Sequence, residues 1–530
     1  MPEVLETSPE RINRVAITKD VLDVQDFNER IVGAYNDGTA ELELPADHST
    51  LRSFIPAGTG VLRDFSYIAP EIPLLNSENC VGCMDCVTEC PDTAILGKVV
   101  PKAKLEAELA KIEDPVEREN YAKQFGKTTK YWSVYEKKGQ EPGYFGIFID
   151  PTKCKGCAEC VDACGNHGAL SMLRKDDNEL KRFQRTWKFY RDLPETPKEF
   201  INEKLLSDMM LTERSLLYVG GAGSCMGCGE GTALRMMLAA TGFVYGKENI
   251  GIVNSTGCST VYASTYPYNP YLVPWTNSLF ENAPADAMGV RARWDQMGWK
   301  NKKLWVIGGD GAMLDIGFQS LSRMLASGMD IKVLVLDTQV YSNTGGQSST
   351  ASYMGQNTKF SVHGKVIQGK TERRKELAQV CMMHPRTFVA QTSCAMPNHF
   401  YKSIMAANEY DGPAVVTVYT RASPNMAWAT TWPWPNPSSR STPELFRCSS
   451  MIRAKARRSV SASVCKATPP PKRIGSRIPR PASCLISSCS PAAKAASLNT
   501  STKTGIPASC CRPPNRIVWR IGMCSRNWRD

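Results

Sequence analysis

The sequence predicts an α/β protein in which a doubly wound parallel sheet is preceded by a small α+β unit and followed by an irregular C-terminal tail. Three observations support this prediction. Two cysteine runs of the same spacing lie within residues 71–180, short β-branched segments alternate with helical patterns within 200–420, and no regular pattern continues through 421–530. Strands that alternate with helices indicate a parallel sheet covered by helices. Residues 1–70 form a fourth segment ahead of these three.

Residues 1–70 carry no motif of known chemistry, and we predict a linker or a docking segment there. Within it, Ala40–Leu44 alternates apolar and acidic residues as a short strand does. The chain lacks the basic start and apolar core of an export signal, and no apolar run approaches the roughly 18 residues of a membrane span. We therefore expect no membrane span and a reducing, cytoplasmic location.

Eight cysteines in two runs define the predicted α+β unit. The runs are Cys80, Cys83, Cys86 and Cys90, and Cys154, Cys157, Cys160 and Cys164. In paired runs of this spacing, the first three thiolates bind one 4Fe–4S cluster and the fourth reaches across to the other. On that rule Cys164 joins the first run's cluster and Cys90 joins the second's. The alternatives are disulfides or zinc, although zinc sites usually show two cysteine pairs separated by a loop.

Between the two cysteine runs the sequence predicts two regular elements. Lys102–Gln124 is charged and helical in pattern, and we expect a helical insertion. Gly146–Asp150 is apolar and short, and we expect a strand that leads into the second run.

Five short β-branched segments predict the strands of the larger sheet. They are Asn249–Val253, Lys303–Ile307, Ile331–Leu336, Thr387–Ala390 and Pro413–Val418. Between the second and third, Leu314, Phe318, Leu321 and Leu325 recur at helical spacing, and Gly328 marks the helix end. Ligands of doubly wound sheets bind beyond the carboxyl ends of the strands. The polar and cysteine motifs of this segment stand at those ends.

Two neighbouring strand ends carry a pattern that suits a magnesium-bound diphosphate. Gly309, Asp310, Gly311 and Ala312 follow one strand, and Thr338, Gln339, Val340, Tyr341, Ser342 and Asn343 follow the next. An acid and a hydroxyl or carbonyl can share one Mg²⁺, whose octahedral shell ligand phosphates complete. The glycines and the following helix N-terminus suit the phosphates. A Gly-Asp-Gly tripeptide alone is more often a surface turn, but both halves together make thiamine diphosphate the leading ligand.

Three more cysteines precede this pattern. Cys225 and Cys228 are separated by two residues and followed by Glu230, and Cys258 follows the first strand. A single cysteine is usually a small buried apolar residue, but this set is better interpreted as the ligands of a third cluster. Cys381 and Cys394 stand among apolar residues and are interpreted as buried. The five histidines, which we expect to be structural or exposed, are His48, His167, His363, His384 and His399.

Residues 421–530 have an unusual composition. They contain 19 Lys and Arg, seven Cys, five Trp and fourteen Pro, but only two acids, Glu444 and Asp530. Disordered tails are poor in aromatic residues, and a folded domain would show apolar periodicity. We interpret the segment as the product of a frameshift near residue 421, with a real basic tail as the alternative.

The net charge of +12 arises in this tail, because the first 420 residues hold 45 basic and 50 acidic residues. A nucleic-acid interface would need clustered basic residues in the body of the protein. We therefore expect no nucleic-acid partner.

Residues 70–420 resemble the C-terminal part of pyruvate:ferredoxin (flavodoxin) oxidoreductases, because the four motif groups above occur in that family's order. The resemblance implies a β-type subunit that oxidatively decarboxylates a 2-oxoacid, most readily pyruvate, with coenzyme A. The products would be acyl-CoA, carbon dioxide and two electrons, which pass through the clusters to ferredoxin or flavodoxin.

The resemblance also implies roles for the site residues. Asp310, Thr338 and the carbonyl of Val340 would bind Mg²⁺, and the diphosphate would lie against Gly309 to Ala312 and Thr338 to Asn343. Glu230 and Cys258 would touch thiamine diphosphate, and Asn343 would face the reacting centre as the catalytic residue. Cys225, Cys228 and Cys258 would hold the cluster nearest the cofactor.

The sequence departs from the family's pattern in two places. The family's N-terminal domains, which complete the thiamine and coenzyme A sites, are absent, so either a second chain supplies them or the sequence is a fragment. The family's fourth ligand for the nearest cluster should follow the predicted strand that ends at Thr420, but Arg421 and Ala422 stand there. Alternatives to the enzyme are a non-catalytic iron–sulfur electron-transfer module and an inactive truncated gene product.

Overall fold

The computed structural model describes residues 23–44, 55–221, 223–263 and 265–420. The segment 421–530, with its expected frameshift, lies outside the described residues. Over the described ranges, none of the helices combines the length and apolar character that a membrane span requires.

The N-terminal segment is helical. It contains α1 (Val24–Asp26), a π-helix (Phe27–Val32), α2 (Gly33–Asp37) and α3 (Ala40–Glu43). The strand predicted for residues 40–44 is therefore wrong. In a strand Leu42 and Leu44 would share one face, but Leu42 is 85% exposed and Leu44 is buried against Tyr268. The spacing of the two leucines is compatible with a strand, but only Leu44 packs in an apolar cluster.

The cysteine-rich unit, residues 71–180, is built from short elements. They are β1 (Glu71–Leu75), α4 (Asp85–Glu89), β2 (Ile95–Pro101), α5 (Lys102–Ala110), α6 (Pro115–Ala122), β3 (Phe125–Gly126), α7 (Val134–Lys137), β4 (Gly143–Ile149), α8 (Glu159–Cys164) and β5 (Leu170–Arg174). β1 pairs with β5, and β4 pairs with both β2 and β3, all antiparallel. The predicted strand before the second cysteine run is β4.

The predicted helical insertion consists of two helices, α5 and α6. Pro115 opens α6, where its missing N–H costs no helical hydrogen bond. The Asp114 carboxylate caps the same helix by accepting a hydrogen bond from the Val116 N–H at 2.9 Å. Both residues favour the start of a new helix over the continuation of α5.

The sheet unit, residues 200–420, follows α9 (Asp177–Asp192). Its elements are α10 (Leu206–Met209), α11 (Gly229–Tyr245), β6 (Ile250–Ser255), α12 (Cys258–Ala263), β7 (Trp275–Ser278), α13 (Ala283–Gln296), β8 (Lys303–Gly309), a π-helix (Gly311–Ile316), α14 (Phe318–Ser327), β9 (Lys332–Asp337), β10 (Val362–His363), β11 (Gln368–Gly369), α15 (Leu377–Met382), β12 (Phe388–Ser393), α16 (Pro397–Glu409) and β13 (Ala414–Tyr419). Single-turn 3₁₀ helices occur at Thr59–Leu62, Ser77–Asn79, Gly165–His167, Lys198–Phe200, Glu213–Ser215 and Lys247–Asn249.

The doubly wound parallel sheet is confirmed. Within the described part of the chain, six strands pair in the order β12-β13-β9-β8-β6-β7, and every pair is parallel. The five predicted strands are β6, β8, β9, β12 and β13. The sixth, β7, was not predicted because its sequence Trp-Thr-Asn-Ser is short and polar, as an edge strand with one partner can be.

Helices cover both faces of this sheet. Along β9, Val333 and Val335 pack with α13, α14 and α15, whereas Leu334 and Leu336 pack with α11 and α16. Successive side chains of a strand point to opposite faces, so a strand buried on both sides is apolar throughout.

The core on the α11 side continues into the cysteine-rich unit. A single cluster of buried side chains joins Val99 and Phe148 of that unit with Met236 of α11 and Leu336 of β9. The two units therefore share one apolar core, which positions α11 between the cysteine runs and the ends of the strands.

Candidate cofactor and cluster site

The carboxyl ends of β8 and β9 lie side by side, which brings Asp310 and Thr338 together. The Thr338 backbone N–H and hydroxyl donate to Asp310 Oδ1 at 3.3 Å and 3.2 Å. The Thr338 hydroxyl also lies 3.0 Å from the carbonyl oxygen of Val340. Neighbouring oxygens in an octahedral shell with bonds of about 2.1 Å are about 3 Å apart. The Thr338 hydroxyl therefore lies from each of the other two predicted magnesium ligands at the distance that neighbouring ligands of one Mg²⁺ have.

A second layer of contacts orients Asp310, and sequence reasoning missed it. The Ser349 hydroxyl donates to Asp310 Oδ2. The buried Lys370 ammonium group holds this loop by donating to the carbonyl oxygens of Ser349 and Ser352 at 2.8 Å and 2.9 Å. The signal in the sequence is the hydroxyl-rich run of residues 348–352 that follows the glycine pair at 345–346.

Asp310 is a buried acid with a raised pKa. Burial raises the pKa of Asp310 to about 7, and the nearby Asp337 adds to the rise, while hydrogen bonds from Ser349 and Thr338 oppose it. Asp337 is held in turn by the Arg374 guanidinium at 3.4 Å. A divalent cation would favour the ionised form of Asp310, because an opposite charge lowers the pKa of a carboxyl group.

The glycines beside Asp310 differ in what they do. A Cβ built on Gly309 would meet only the carbonyl oxygen of Leu336, at 3.8 Å, so the space beside Gly309 is open to a ligand. A Cβ on Gly311 would lie 2.2 Å from the ring of Tyr341, so a side chain there would displace that ring. The open position suits the approach of a phosphate, whereas the crowded one serves packing.

The loop after β9 is fixed by its own polar contacts. The Ser342 and Thr338 hydroxyls lie 2.6 Å apart, and the Tyr341 hydroxyl donates to Asp315 at 2.6 Å. Gln339 has a φ of 62°, and Asn343 is exposed. Among the contacts of the described residues, none joins the Asn343 side chain to Asp310 or to Glu230. Its predicted catalytic role stays a prediction.

Glu230 is buried in the first turn of α11, facing the strand ends. Burial raises the pKa of Glu230 to about 8, with a further rise from Asp310, while the Tyr262 hydroxyl lowers it. Within the described ranges, the Ser255 hydroxyl is buried without a hydrogen-bond partner. This unpaired group suits a polar ligand at the end of β6.

Cys225, Cys228 and Cys258 are brought together beside Glu230. The Cys258 thiol, at the start of α12, is within electrostatic range of Cys225, Cys228, Glu230 and Asp310. The Cys228 sulfur caps α11 by accepting a hydrogen bond from the Gly231 N–H at 3.4 Å. The predicted cluster ligands therefore lie near two of the predicted cofactor residues, Glu230 and Asp310.

Cys394 lies near this set, although its apolar neighbours in the sequence predict only a buried residue. It follows β12, its thiol donates to the carbonyl oxygen of Gly229 at 3.5 Å, and its charged form interacts with Cys228. Cys381 lies in the core on the other face of the sheet, as expected. Cys394 and α11 are far apart in the sequence and meet only in the folded chain. A local sequence pattern therefore does not reveal this contact.

The two cysteine runs line two separate cavities. One cavity is lined by Cys80, Cys83, Cys86 and Cys164, and the other by Cys90, Cys154, Cys157 and Cys160. The structure thus groups the cysteines as the crossed pattern predicts, with the fourth member of each run beside the opposite three. Ligation of iron by these residues stays a prediction.

The cysteines of these cavities are buried or half-buried. Burial raises the pKa of Cys154 to about 12 and that of Cys157 to about 11. A buried thiolate is costly without a positive partner, and a bound metal favours the ionised form. The donor set therefore fits iron–sulfur clusters, which would replace the thiol protons.

Disulfides and zinc sites are the alternatives that the sequence leaves open for these cysteines. Every cysteine in the described ranges is a free thiol. Within the same ranges, no three His, Cys, Asp or Glu side chains converge closely enough to hold a single metal ion.

Comparisons with known proteins agree with the geometry. Residues 255–418 match the model of the thiamine pyrophosphate enzyme C-terminal TPP binding domain. This segment contains Asp310, Thr338 and Val340 and runs from the end of β6 to the penultimate residue of β13. The thiamine cofactor that the motifs predicted is therefore supported by the family.

Three relatives support the same comparison. The chain is 27% identical over 484 residues to a probable pyruvate-flavodoxin oxidoreductase of Escherichia coli (strain K12), covering 78% of this chain and 38% of the relative. It is 28% identical over 457 residues to the pyruvate:ferredoxin oxidoreductase of Moorella thermoacetica, covering 71% and 36%. It is 38% identical over 206 residues to the pyruvate synthase subunit PorB of Pyrococcus furiosus, covering 38% and 62%.

The resemblance predicted from the motifs is confirmed by these matches. The chain spans about a third of the length of the long oxidoreductases that it matches.

Proposed function

We propose, from this similarity to pyruvate:ferredoxin and pyruvate-flavodoxin oxidoreductases, that the chain is the thiamine- and cluster-binding subunit of such an enzyme. It would oxidatively decarboxylate a 2-oxoacid, most readily pyruvate, in the presence of coenzyme A. The electrons would pass through 4Fe–4S clusters to ferredoxin or flavodoxin. Clusters held by thiolates need a reducing compartment, so we place the protein in the cytoplasm.

One observation carries this proposal. The Cys258 thiol is within electrostatic range of both Asp310, at the diphosphate side, and Cys225 and Cys228, at the cluster side. A thiamine enzyme that gives its electrons to an iron–sulfur protein needs such an adjacency, whereas a simple decarboxylase does not. The arrangement supports an oxidoreductase over a thiamine enzyme without redox chemistry.

The residues of the chain have distinct tasks in this proposal. Thiamine diphosphate supplies an electron sink for decarboxylation. Asp310, Thr338 and the Val340 carbonyl would hold the magnesium ion that carries the diphosphate, and Ser349 keeps Asp310 in position. Glu230, with a pKa of about 8, holds a proton at neutral pH beside the cofactor space.

A second chain is part of the proposal. The match covers only about a third of the length of the long relatives, and PorB is named as a subunit. The partner would carry the domains that complete the coenzyme A and thiamine sites.

The test is anaerobic co-expression with a partner chain that carries those domains. We expect reduction of a redox dye that depends on both pyruvate and coenzyme A, and loss of this activity in the Asp310→Asn variant. If clusters and thiamine diphosphate are bound but no 2-oxoacid supports reduction, the enzymatic proposal fails.

A non-catalytic electron-transfer module is the second candidate. The described residues bring three cysteines together near Glu230, and the expected fourth ligand follows Thr420, outside the described residues. Iron analysis separates the two candidates, because three 4Fe–4S clusters give about twelve irons per chain and two give about eight. A corrected reading frame with a cysteine just after Thr420 would favour the enzyme.

A further inference from the structure

We propose that the buried ion pair of Lys155 and Asp92 is a positioning element between two cluster sites, and that it sets their relative reduction potentials. One site is the cavity lined by Cys90, Cys154, Cys157 and Cys160, and the other is the set of Cys225, Cys228 and Cys258. The inference rests on the proposed function only in requiring that both sites hold clusters.

Lys155 and Asp92 form an ion pair shielded from water. Lys155 Nζ lies 2.9 Å from Asp92 Oδ2, and the two side chains are 3% and 2% exposed. Both residues line the cavity of Cys90 and Cys157. Buried charges are screened much less than surface charges, so this pair acts strongly on its surroundings.

The same pair holds the loop that leads to Cys225. Asp92 Oδ1 accepts hydrogen bonds from the Gly221 N–H and the Ser224 hydroxyl, both at 3.1 Å. Lys155 Nζ donates to the carbonyl oxygen of Ser224 at 3.0 Å. Ser224 directly precedes Cys225, so the ion pair places the cysteine loop of the sheet unit against the cysteine-rich unit.

Close packing leaves this loop little freedom. A Cβ on Gly220 would lie 2.7 Å from Asp92 Oδ1 and 3.0 Å from Asp92 Cα. The Gly220 N–H also donates to the backbone carbonyl of Asp92 at 3.0 Å. Backbone and side-chain contacts together therefore hold Gly220, Gly221 and Ser224 against Asp92.

A backbone contact links the two cluster sites directly. The Gly227 N–H, between Cys225 and Cys228, hydrogen-bonds to the sulfur of Cys157. The Lys155 ammonium group acts on the thiols of both Cys228 and Cys157. The positive charge therefore stands between the two sets of sulfurs, and hydrogen bonds to sulfur and net charge set cluster potentials.

Substitutions of Lys155 and of Asp92 are expected to shift the reduction potentials of the clusters in opposite directions. Lys155→Met removes the positive charge and leaves the Asp92 carboxylate, so reduction of the neighbouring clusters becomes harder. Asp92→Asn removes the negative charge and leaves the ammonium group, so reduction becomes easier. We expect each change to alter the reduced-to-oxidised ratio of the affected cluster at least tenfold at fixed potential, which is 59 mV for a one-electron couple.

Lys153 provides a matched control. It lies two residues before Lys155 and is 1% exposed, but its ammonium group donates to the backbone carbonyls of Gly60 and Val61, at 2.9 Å and 3.2 Å. Lys153→Met therefore removes a buried cation from the same loop without removing one from between the two cluster sites. We expect this variant to lose stability. The reduced-to-oxidised ratio of its clusters at fixed potential should stay within threefold of the ratio in the chain without substitutions.

The experiment is an anaerobic potential titration of the full chain with its partner, followed by electron paramagnetic resonance, with iron counted in each sample. Opposite shifts in Lys155→Met and Asp92→Asn, and none in Lys153→Met, are expected. Equal shifts in both lysine variants, or no shift in the first two, would overturn the inference. If Lys155→Met binds no clusters, Asp92→Asn, which keeps the ammonium group, decides alone. If the chain without substitutions binds no clusters, that result instead contradicts the proposed function.

Discussion

Asp310 shows how a single buried acid links a site to stability. Its pKa is raised to about 7 and that of Glu230 to about 8, in both cases first by burial. A carboxyl group whose pKa is higher in the folded state than in the unfolded state stabilises the fold most at low pH. This contribution is lost as the pH rises from about 4 through the folded pKa values.

We therefore expect the chain without Mg²⁺ to become less stable between pH 5 and pH 8. Asp310→Asn should flatten part of this dependence, because the amide does not titrate. Urea unfolding at both pH values measures the effect. A steeper dependence in the variant than in the unchanged chain would contradict this account.

The same substitution should weaken magnesium and thiamine diphosphate binding by at least tenfold, because a neutral amide replaces the only charged ligand among the three predicted ones. Isothermal titration at pH 7.5 gives the affinity. Ser349→Ala serves as the graded control, since it keeps the Asp310 carboxylate and removes the hydroxyl that orients it, together with the hydrogen bond that this hydroxyl accepts from the Ala351 N–H at 3.2 Å. We expect a smaller loss for it, and equal losses would argue against direct ligation by Asp310.

The crossed grouping of the ferredoxin-type cysteines is also testable residue by residue. Cys80→Ser combined with Cys164→Ser should lose no more iron than either change alone, because both belong to one cavity. Cys164→Ser combined with Cys157→Ser should lose about twice as much, about eight irons rather than four. Iron and sulfide analysis distinguishes this from ligation within each run, which would reverse the two results.

At the scale of elements, helix α11 joins the two units. Its first residues place Cys228 and Glu230 at the site, and its buried Arg235 donates to the carbonyl oxygens of Val87 and Thr88 in the short helix α4. The last carbonyls of a helix have no partner within it, so this guanidinium caps α4. α4 carries Cys86 and ends immediately before Cys90.

Arg235→Met should therefore destabilise the chain by about 2 kcal/mol or more, since it leaves two buried carbonyls unpaired. Chemical unfolding of the apo chain measures the change. Arg214→Met is the control, because Arg214 also donates to helix carbonyls, those of Gly242 and Val244 at 3.2 Å, but is exposed. We expect Arg214→Met to lower the free energy of unfolding by less than half as much as Arg235→Met. An equal loss would show that the burial of Arg235 does not contribute to the effect.

At the scale of the whole molecule, the shared core joins the predicted cofactor site to the predicted cluster sites. Buried side chains of the cysteine-rich unit, of α11 and of the strands belong to one cluster. A ligand that binds only the folded state at one hundred times its Kd stabilises it by about 2.7 kcal/mol. Because the core is continuous, that stabilisation should extend to both units.

We expect Mg²⁺ with thiamine diphosphate to slow the loss of iron–sulfur absorbance when a chelator that binds iron but not magnesium is added. Asp310→Asn should remove this protection without changing the initial absorbance. Protection that persists in the variant would show that the two units respond to the ligand by another route.

The sequence by itself determined the local features of this protein. Spacing within a few residues revealed five of the six parallel strands, the two cysteine runs and the two halves of the magnesium pattern, because each depends on neighbours along the chain. It failed for α3 and β7, where alternation was too short to distinguish a helical turn or an edge strand.

Only the tertiary structure decided which distant residues meet. The contacts of Ser349 with Asp310, of Cys394 with Gly229, and of Lys155 with Asp92 arise from strand order and from the packing of α11. No local pattern encodes these contacts, because they join segments that approach each other only when the apolar faces of the sheet and the cysteine-rich unit are buried in one core.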